Sequence, residues 1–447
     1  MRVAVIGSGP SGIYAADALV SQEDVPVEVD IIDRLPVPFG LVRYGVAPDH
    51  LSIRSVRDTL NKVLQKPGVR FLGNITVGSD LSLADLQACY DAVILTYGAS
   101  SDRRLGIPGE DLDGSVAATD FVAWYCGHPD ADRERFERLL PSATSAVVVG
   151  VGNVAVDVTR VLAKSVGELD HTDMPQHVLE TLQSAHITDV YLLGRRGPAQ
   201  ASFTTKELKE LGELLEADVL VKPADVELDP ASAALAESER GVGRNVDVIR
   251  EWAERAPEGK RRRIHVRFLS RPVELRGGDR VDTVVVERTR LTPEGSVEGT
   301  GEMEEIPADL VVRSVGYRGT PMEELPFDER SGVIPNEDGR VTRDGEAVAG
   351  YYVAGWIKRG PTGIIGTNKK DAVATVASLL SDAQSGALSE PTTPGGIDAL
   401  LAERGVTVVS TAGWDSIDEA ERALGASRGR ERTTIHDRDE LLRSAIG

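Results

Sequence analysis

The sequence predicts an α/β protein with two three-layer domains, each built on a parallel sheet, the second domain being inserted in the first. Two glycine-rich turns carry most of this prediction, at residues 7–12 and 150–155, because each follows a short β-branched strand and precedes a helix. A strand predicted over 350–356 also ends on glycine before a helix, and we expect it to rejoin the N-terminal sheet.

The first turn has the spacing of a dinucleotide-binding fingerprint of the Rossmann type. Gly7 permits a tight turn, Gly9 lets the backbone approach a pyrophosphate, and Gly12 lets the next helix pack closely on the strand. We expect the phosphate at the N-terminal end of a helix predicted over 13–20, where backbone N–H groups are free. The following strand ends at Asp33, whose carboxylate is placed to accept from the ribose hydroxyls of an adenosine.

The second turn belongs to a unit that ends differently. Gly152 and Ala155 occupy the second and third places of the fingerprint, and the strand predicted over 189–194 ends in Arg195 and Arg196. A guanidinium pair binds a 2′-phosphate that a carboxylate would repel. The first site is therefore predicted to prefer FAD or NAD, and the second NADP(H). If the charge-assisted hydrogen bonds of each arginine to the 2′-phosphate contribute about 1.5–3 kcal/mol, NADPH should bind more tightly than NADH by roughly two to four decades in Kd.

Length and composition describe a globular protein of more than one domain. The chain has 447 residues, of which 41% are hydrophobic and 27% charged, and no apolar run approaches the ~20 residues of a membrane span. Its N-terminus enters a predicted buried strand at once, which argues against a signal peptide. We expect a cytoplasmic protein that holds two nucleotides, and two nucleotides in one chain suggest that electrons pass between them.

The cysteines exclude two kinds of redox centre. Only Cys89 and Cys126 are present, far apart in sequence, which suits a reducing cytoplasm without disulfides. Flavoproteins that reduce disulfides relay electrons through a closely spaced cysteine pair, and the chain has no C-x-x-C. Two cysteines are also too few to hold an iron–sulfur cluster, and no metal site is predicted.

The net charge of −21 argues against nucleic acid and anionic membranes as partners. Basic residues nevertheless concentrate in 240–271, and a second basic group comprises 358–359 with 369–370. A docking face for an acidic partner is one interpretation of these groups. A solvated surface is the other, and for 260–263 the two are equally open.

The predicted domain boundaries follow from these elements. In order along the chain they are the first part of the FAD-binding domain (1–101), the inserted NADP-binding domain (102–319), the second part of the FAD-binding domain (320–381), a Gly/Ser/Pro/Thr-rich linker (382–397) and a C-terminal tail (398–447). The tail is expected to contain a strand at 406–409 and to pack on the FAD-binding domain.

Longer motifs accompany these features at residues 7–12, 38–50, 106–110, 152–157, 194–198 and 355–368. On these residues the chain resembles the adrenodoxin-reductase-type ferredoxin–NADP⁺ reductases, in the form found in actinobacteria, over nearly its full length. One departure is Asp33, where the family more often has glutamate. The shorter side chain should reduce the reach to the ribose without abolishing the hydrogen bond.

The resemblance implies which residues hold the cofactors. FAD is expected on Gly7, Gly9, Ser11, Gly12, Asp33, Leu41, Val77, Trp356, Gly363, Ile364 and Ile365. NADP(H) is expected on Arg103, Gly152, Asn153, Val154, Ala155, Arg195, Arg196, Glu207 and Gly363. The resemblance also implies that His50 and Glu210 are the catalytic residues and lie near the flavin as an ion pair.

The implied activity transfers a hydride from NADPH to FAD and then single electrons to a ferredoxin-type iron–sulfur protein, reversibly in principle. The basic residues place that partner near Arg240 and Arg244, and we expect a monomer or weak dimer. An NADPH-dependent flavin monooxygenase or quinone reductase shares both nucleotide sites but needs an enclosed apolar substrate pocket. A nucleotide-sensing binding protein is an alternative of another class, and it would bind NADPH without reducing the flavin.

Overall fold

The computed structural model describes residues 1–363, 365–393 and 396–446. The strands of the described chain are β1 (Arg2–Ile6), β2 (Glu28–Ile32), β3 (Val69–Gly73), β4 (Ala92–Leu95), β5 (Ser101–Asp102), β6 (Ser115–Ala117), β7 (Ser145–Val149), β8 (Asp189–Leu193), β9 (Ala217–Val221), β10 (Arg262–Arg267), β11 (Ser270–Gly277), β12 (Val281–Leu291), β13 (Val297–Pro307), β14 (Leu310–Arg313), β15 (Tyr317–Arg318), β16 (Asn336–Glu337), β17 (Arg340–Arg343), β18 (Glu346–Val353) and β19 (Val409–Ser410).

The helices are α1 (Pro10–Ser21), α2 (Leu41–Tyr44), α3 (Leu51–Arg54), α4 (Val56–Leu64), α5 (Leu83–Cys89), α6 (Ala118–Tyr125), α7 (Arg133–Leu139), α8 (Asn153–Ala163), α9 (Gln176–Ser184), α10 (Thr205–Gly212), α11 (Pro230–Ser238), α12 (Arg240–Glu254), α13 (Trp356–Arg359), α14 (Ile365–Gln384), α15 (Gly396–Glu403), α16 (Thr411–Ala426) and α17 (Arg438–Ile446). Short 3₁₀ turns lie at Leu140–Ser142, Val166–Glu168, Pro198–Gln200 and Pro223–Asp225. Among the described residues, no helix has the length and apolarity that crossing a bilayer requires.

The contacts within the chain divide it into two compact units. The first comprises residues 1–101 and 316 onward, and the second is the uninterrupted segment 102–315. The second unit is therefore inserted in the first, as the fold prediction requires. That the first unit binds FAD and the second binds NADP stays a prediction, because the division into units does not identify a cofactor.

The first unit is built on an eight-stranded sheet in the order β16-β17-β18-β4-β1-β2-β3-β19. The strands from β18 to β3 are parallel, and antiparallel strands flank them at both edges. β18 pairs with β4, so the late strand rejoins the N-terminal sheet as predicted. The strand order reverses at β1, with β2 on one side and β4 on the other. Such a reversal opens a crevice at the carboxyl ends of the strands, where α/β proteins bind ligands.

Successive side chains of β1 point to opposite faces of this sheet. Ala4 and Ile6 share one apolar cluster with Leu86 of α5 and Leu401 of α15. Val5 faces the other way, toward α1, which also packs against α14. The sheet thus lies between two helical layers, as predicted for this unit.

The second unit has a six-stranded parallel sheet in the order β6-β14-β7-β8-β10-β9. Helix α8 packs against β7, β8 and β10. Val147 and Val149 of β7 instead join an apolar cluster with Val284 and Ile306, which belong to an antiparallel sheet of β11, β12 and β13. The predicted three-layer α/β class is confirmed in both units, although one outer layer of the second unit is a β-sheet.

The C-terminal tail extends the first unit's sheet at one edge. Val409 and Ser410 pair antiparallel with Gly73 and Leu72 of β3. The strand is shorter than the predicted 406–409 because β3 ends at Gly73 and offers no further partner. The predicted linker 382–397 is helical at both ends, within α14 and α15.

A buried charge network joins the tail to α2. The carboxylate of Glu421 in α16 is fully buried and accepts hydrogen bonds from the guanidiniums of Arg43 and Arg432 and from the N–H of Ile435 (2.8 Å). Nearby, the ring of Trp414 meets that of Phe39 edge-on, with centroids 5.4 Å apart. Residues 38–50 are therefore held in place by side chains of the C-terminal tail, namely Trp414 and Glu421.

We expect Glu421→Gln to destabilise the protein by about 3–5 kcal/mol, because Arg43 would remain buried without its counter-charge and Arg432 would keep only Asp418. Chemical denaturation of wild type and variant measures the difference. Glu419→Gln is the control, since Glu419 is exposed on the same helix, and its effect should stay within ~0.5 kcal/mol. Equal stability of the two variants would contradict the role given to the network.

Candidate functional site

The first glycine turn lies at the carboxyl end of β1, where the strand order reverses. Gly7 has φ +108°, and a Cβ at this position would lie 2.8 Å from the carbonyl oxygen of Thr96, which follows β4. A Cβ on Gly12 would lie 2.0 Å from the carbonyl oxygen of Gly7. Both approaches exclude any side chain, so these two predicted glycines are required by the backbone itself.

Gly9 differs from its neighbours because it faces open space. No atom lies within 4 Å of a Cβ built on it, and α1 begins directly after it with no side-chain cap and no acid in its first turn. The N–H groups at the start of this helix are therefore available to an anion. A dinucleotide such as FAD fits this cradle, since its pyrophosphate needs both the open space and the uncapped N–H groups.

Asp33 follows β2, at the predicted position, but its carboxylate already has partners in the protein. It accepts from the N–H (2.8 Å) and hydroxyl (2.5 Å) of Ser8 and from the N–H of Leu35 (2.9 Å). Asp33 therefore braces the glycine turn, a role that the sequence analysis missed. A carboxylate has about four lone-pair sites, so ribose hydroxyls can still be accepted.

Residues 38–45 lie against this turn. The N–H of Phe39 donates to the carbonyl oxygen of Ser8 (3.0 Å), and a Cβ on Gly40 would lie 3.0 Å from the Cα of Gly9. Phe39 has φ +85°, a conformation that costs energy for an aromatic residue and often marks a functional site. Leu41 begins α2 immediately afterwards, which places this predicted FAD residue beside the cradle.

The end of β18 forms the other flank. A Cβ on Gly355 (φ +80°) would lie 2.2 Å from the hydroxyl oxygen of Ser11. The N–H of Gly355 donates to Asp371 of α14 (2.5 Å), which also pairs with Lys358 (2.9 Å) and Arg359 (3.0 Å). Asp371 was not predicted from the sequence. Because Lys358 and Arg359 share this one carboxylate, their charge is partly compensated and neither is an unpaired surface cation.

The remaining predicted FAD residues take several positions in the first unit. Trp356 is half-buried at the start of α13, Gly363 is exposed with φ +85°, and Ile365 begins α14. Val77 packs against the apolar cluster that includes α5. Ile364 lies outside the described residues.

The second glycine turn repeats the first at the carboxyl end of β7. Gly150 has φ +135°, and a Cβ there would lie 2.1 Å from the carbonyl oxygen of Ser314, which follows β14. Helix α8 begins after Gly152, again with no side-chain cap and no acid in its first turn. The nearest atom to a Cβ on Gly152 is the hydroxyl oxygen of Ser202, 3.4 Å away. This turn too fits a phosphate.

The first turn of α8 contains the other predicted residues of this motif. The side-chain oxygen of Asn153 accepts from the N–H of Thr204 (2.8 Å), which ties the turn to the N-cap of α10. Val154 is half-buried, and Ala155 is fully buried. A small residue at Ala155 agrees with the third place of the fingerprint, where the helix packs closely on the sheet.

Arg195 and Arg196 follow β8 with exposed side chains, and no acidic group among the described residues pairs with either. Their backbone, in contrast, is firmly bonded. The carbonyl oxygen of Arg195 accepts from the hydroxyl of Thr289 (2.8 Å), and that of Arg196 accepts from the N–H of Leu269 (3.0 Å). Two unpaired guanidiniums on a fixed backbone fit the 2′-phosphate that was predicted here.

Glu207 and Glu210 of α10 face a cation that the sequence analysis missed. Arg160 of α8 is 1% exposed, with Asp157 at 2.8 Å, Glu210 at 3.4 Å and Glu207 at 3.6 Å. The i, i+3 spacing of Asp157 and Arg160 is the one local signal for this cluster. One arginine thus orients three carboxylates, including the predicted catalytic Glu210.

The later part of the predicted basic region, residues 260–271, is mostly paired internally. Arg263 binds Asp189 (2.5 Å) and Arg271 binds Glu287, while Arg267 binds Glu304 (2.6 Å) and holds the pKa of that carboxyl below its usual range. The run 260–271 is therefore mainly structural. On α12, Arg240 and Arg244 are exposed and have no partner among the described residues.

The predicted catalytic residues belong to different units. His50 lies in the first unit, just before α3, and is 7% exposed. Glu210 and the exposed Arg103 lie in the second unit, whereas Gly363, assigned to both cofactors, lies in the first. The ion pair of His50 with Glu210 therefore stays a prediction.

Two glycine turns, each at a reversal of strand order and each before an uncapped helix, define a protein with two dinucleotide-binding units. The family described as "Pyridine nucleotide-disulphide oxidoreductase" matches residues 1–212. The "NADPH-ferredoxin reductase FprA" of Mycobacterium tuberculosis (strain ATCC 25618 / H37Rv) is 45% identical over 100% of this chain and 99% of its own length.

More distant relatives and a solved structure agree with this match. The mitochondrial "NADPH:adrenodoxin oxidoreductase" of Arabidopsis thaliana is 38% identical over 100% of this chain and 95% of its own length. The structure "Mycobacterium tuberculosis FprA in complex with NADPH" is similar with a TM-score of 0.92 and 44% identity, over 100% of this chain and 99% of that one. The chain belongs to the adrenodoxin-reductase-type NADPH–ferredoxin reductases. The predicted family and class of enzyme are confirmed, and the monooxygenase, quinone reductase and sensor alternatives find no support.

The contrast between Gly9 and Gly12 tests the FAD cradle. Gly12→Ala should destabilise the protein without FAD by about 1–3 kcal/mol, because its methyl group meets backbone. Gly9→Ala should leave that stability unchanged and weaken FAD binding by about tenfold or more, a loss of at least ~1.4 kcal/mol. Chemical denaturation and a flavin-fluorescence titration measure the two quantities. Wild-type FAD affinity in Gly9→Ala would rule out this cradle.

Proposed function

We propose that the chain oxidises NADPH and delivers single electrons, through FAD, to a ferredoxin-type iron–sulfur protein, reversibly in principle. The observation that carries the proposal is the pair of cradles with opposite strand-end chemistry: Asp33 at the first, and Arg195 with Arg196 at the second. Full-length similarity to NADPH–ferredoxin and NADPH:adrenodoxin reductases supports it.

In this proposal the first unit binds FAD and the second binds NADP(H). Gly9 and the start of α1 receive the FAD pyrophosphate, and Asp33 accepts from its ribose. Gly152 and the start of α8 receive the NADP pyrophosphate. When bound, FAD accepts two electrons as a hydride and releases them singly, a conversion that amino-acid side chains do not supply.

The chain's own groups position the two nucleotides. We assign His50 and Glu210 to orientation and proton holding near the flavin, as the family resemblance implies. Support for Glu210 comes from the buried Arg160, which lies at ion-pair distance from its carboxylate (3.4 Å). Correct positioning of reacting groups lowers a barrier by several kcal/mol in favourable cases.

The start of α12 is the proposed docking surface for the iron–sulfur protein, which we define by Arg240 and Arg244. These residues keep their charge free, whereas most other cations of 260–271 are neutralised inside the unit. Unpaired surface cations attract an acidic partner over about a Debye length. A cytoplasmic location is also proposed, because Cys89 and Cys126 are buried thiols that form no disulfide.

Replacement of Arg195 and Arg196 by alanine tests the NADPH assignment. The flavin of the loaded wild type should bleach under anaerobic titration with NADPH. The double variant should need roughly two to four decades more NADPH, while its response to NADH stays unchanged, because NADH has no 2′-phosphate. Equal loss for both nucleotides would remove the assignment.

Charge reversal on α12 tests the docking surface. Arg240→Glu with Arg244→Glu should raise the KM for ferredoxin about tenfold or more and should leave ferricyanide reduction unchanged, because a small dye needs no docking face. Wild-type turnover with ferredoxin should also fall as salt rises.

The matched control for this experiment is Lys222→Glu with Arg290→Glu, which changes the net charge equally at two cations that are already ion-paired. A KM increase as large in the control pair would show a general charge effect and no defined surface.

A further inference from the structure

The segment that carries Arg195 and Arg196 makes backbone hydrogen bonds to residues 267–270 along its length. The N–H of Gly194 donates to the carbonyl oxygen of Arg267 (2.8 Å), and the N–H of Ser270 donates back to Gly194 (2.9 Å). The N–H of Leu269 reaches the carbonyl oxygen of Arg196. One further hydrogen bond to this segment comes from a side chain: the hydroxyl of Thr289 donates to the carbonyl oxygen of Arg195 (2.8 Å).

Thr289 occupies an irregular place in the antiparallel sheet. Glu287 of β12 lies opposite Met303 of β13, but Thr289 lies opposite Gly299, so β13 loops out around Gly301 (φ +80°). Irregularities of this kind are retained in sheets where they aim a side chain at a particular target. Here the target of the aimed hydroxyl is a backbone oxygen at the proposed 2′-phosphate site.

Arg288, the residue before Thr289, also holds the backbone at this irregular part of the sheet. Arg288 binds the fully buried carboxylate of Asp225, which also accepts from the N–H of Phe268 (3.3 Å). The next residue, Leu269, has φ +51°, and its carbonyl oxygen accepts from the N–H of Thr289 (2.9 Å). A left-handed leucine is strained and persists only where its surroundings hold it. The backbone around Thr289 is thus fixed by contacts independent of its hydroxyl.

We propose that Thr289 determines nucleotide specificity as a positioning residue: its hydroxyl fixes the Arg195 carbonyl, and thereby the backbone that presents both guanidiniums to a 2′-phosphate. The inference rests on the proposed function of Arg195 and Arg196. Thr289 is 2% exposed and touches no nucleotide in this role. Its loss leaves the Arg195 carbonyl without a partner, so the segment relaxes and only ligands with a 2′-phosphate lose affinity.

The test compares Thr289→Val with Thr289→Ser in the flavin-loaded full chain. Calorimetric titration with 2′,5′-ADP and with 5′-AMP measures the 2′-phosphate contribution without catalysis. Thr289→Val should weaken 2′,5′-ADP about two- to tenfold, the size of one hydrogen bond, and leave 5′-AMP within about twofold. The ratio of kcat/KM for NADPH to that for NADH should fall by the same factor through KM, with kcat unchanged. Thr289→Ser should restore wild-type values.

Thr181→Val is the matched control, since Thr181 is also buried in the second unit and donates to a backbone carbonyl, that of His177 (2.7 Å). It should change neither ligand's affinity. Equal weakening of 2′,5′-ADP and 5′-AMP in Thr289→Val, or no weakening of either, would overturn the inference. The Arg195→Ala, Arg196→Ala variant separates the two proposals: if it loses 2′,5′-ADP while Thr289→Val does not, the specificity site stands and only the role of Thr289 is wrong.

Discussion

In each parallel sheet, the glycine that follows β1 or β7 lies close to a carbonyl oxygen at the end of a neighbouring strand. The rest of the architecture depends on this close contact. At Gly7 the oxygen belongs to Thr96, and at Gly150 it belongs to Ser314. Both glycines adopt φ values that side chains resist. A methyl group at either place would separate two central strands and displace the start of the following helix, where we propose that a phosphate binds.

The two units use the next strand end in opposite ways. In the first unit the carboxylate of Asp33 turns back to the Ser8 backbone and braces the turn. In the second unit the backbone of Arg195 and Arg196 is held from behind while their guanidiniums remain in solvent. One shared scaffold therefore presents a carboxylate at one strand end and two guanidiniums at the other, so the same fold is compatible with two proposed binding chemistries.

The sequence was sufficient for features whose causes are local. Glycine spacing, β-branched strands and the strand-end residues Asp33, Arg195 and Arg196 lie within one β-α-β crossover of each unit, and the structure places them at the ends of the predicted strands. Asp371 and Thr289 were missed because their partners lie on other elements and no local pattern marks those pairings, whereas Arg160 had one local signal, its i, i+3 spacing from Asp157. The same cause explains the basic groups: the sequence around Lys358 and Arg359 contains no acidic partner, but in the structure both cations pair with one carboxylate of α14.

The network around Glu421 has a consequence for how the protein is made. Arg43 emerges early in translation, but the carboxylate that compensates it follows 378 residues later. A buried guanidinium without its counter-charge is strongly unfavourable, so residues 38–50 cannot settle while the chain is still on the ribosome. The inserted unit is one continuous stretch and is free to fold first. Burial of Arg43 in the discontinuous unit is thus a late event, because it waits for the residues around Glu421.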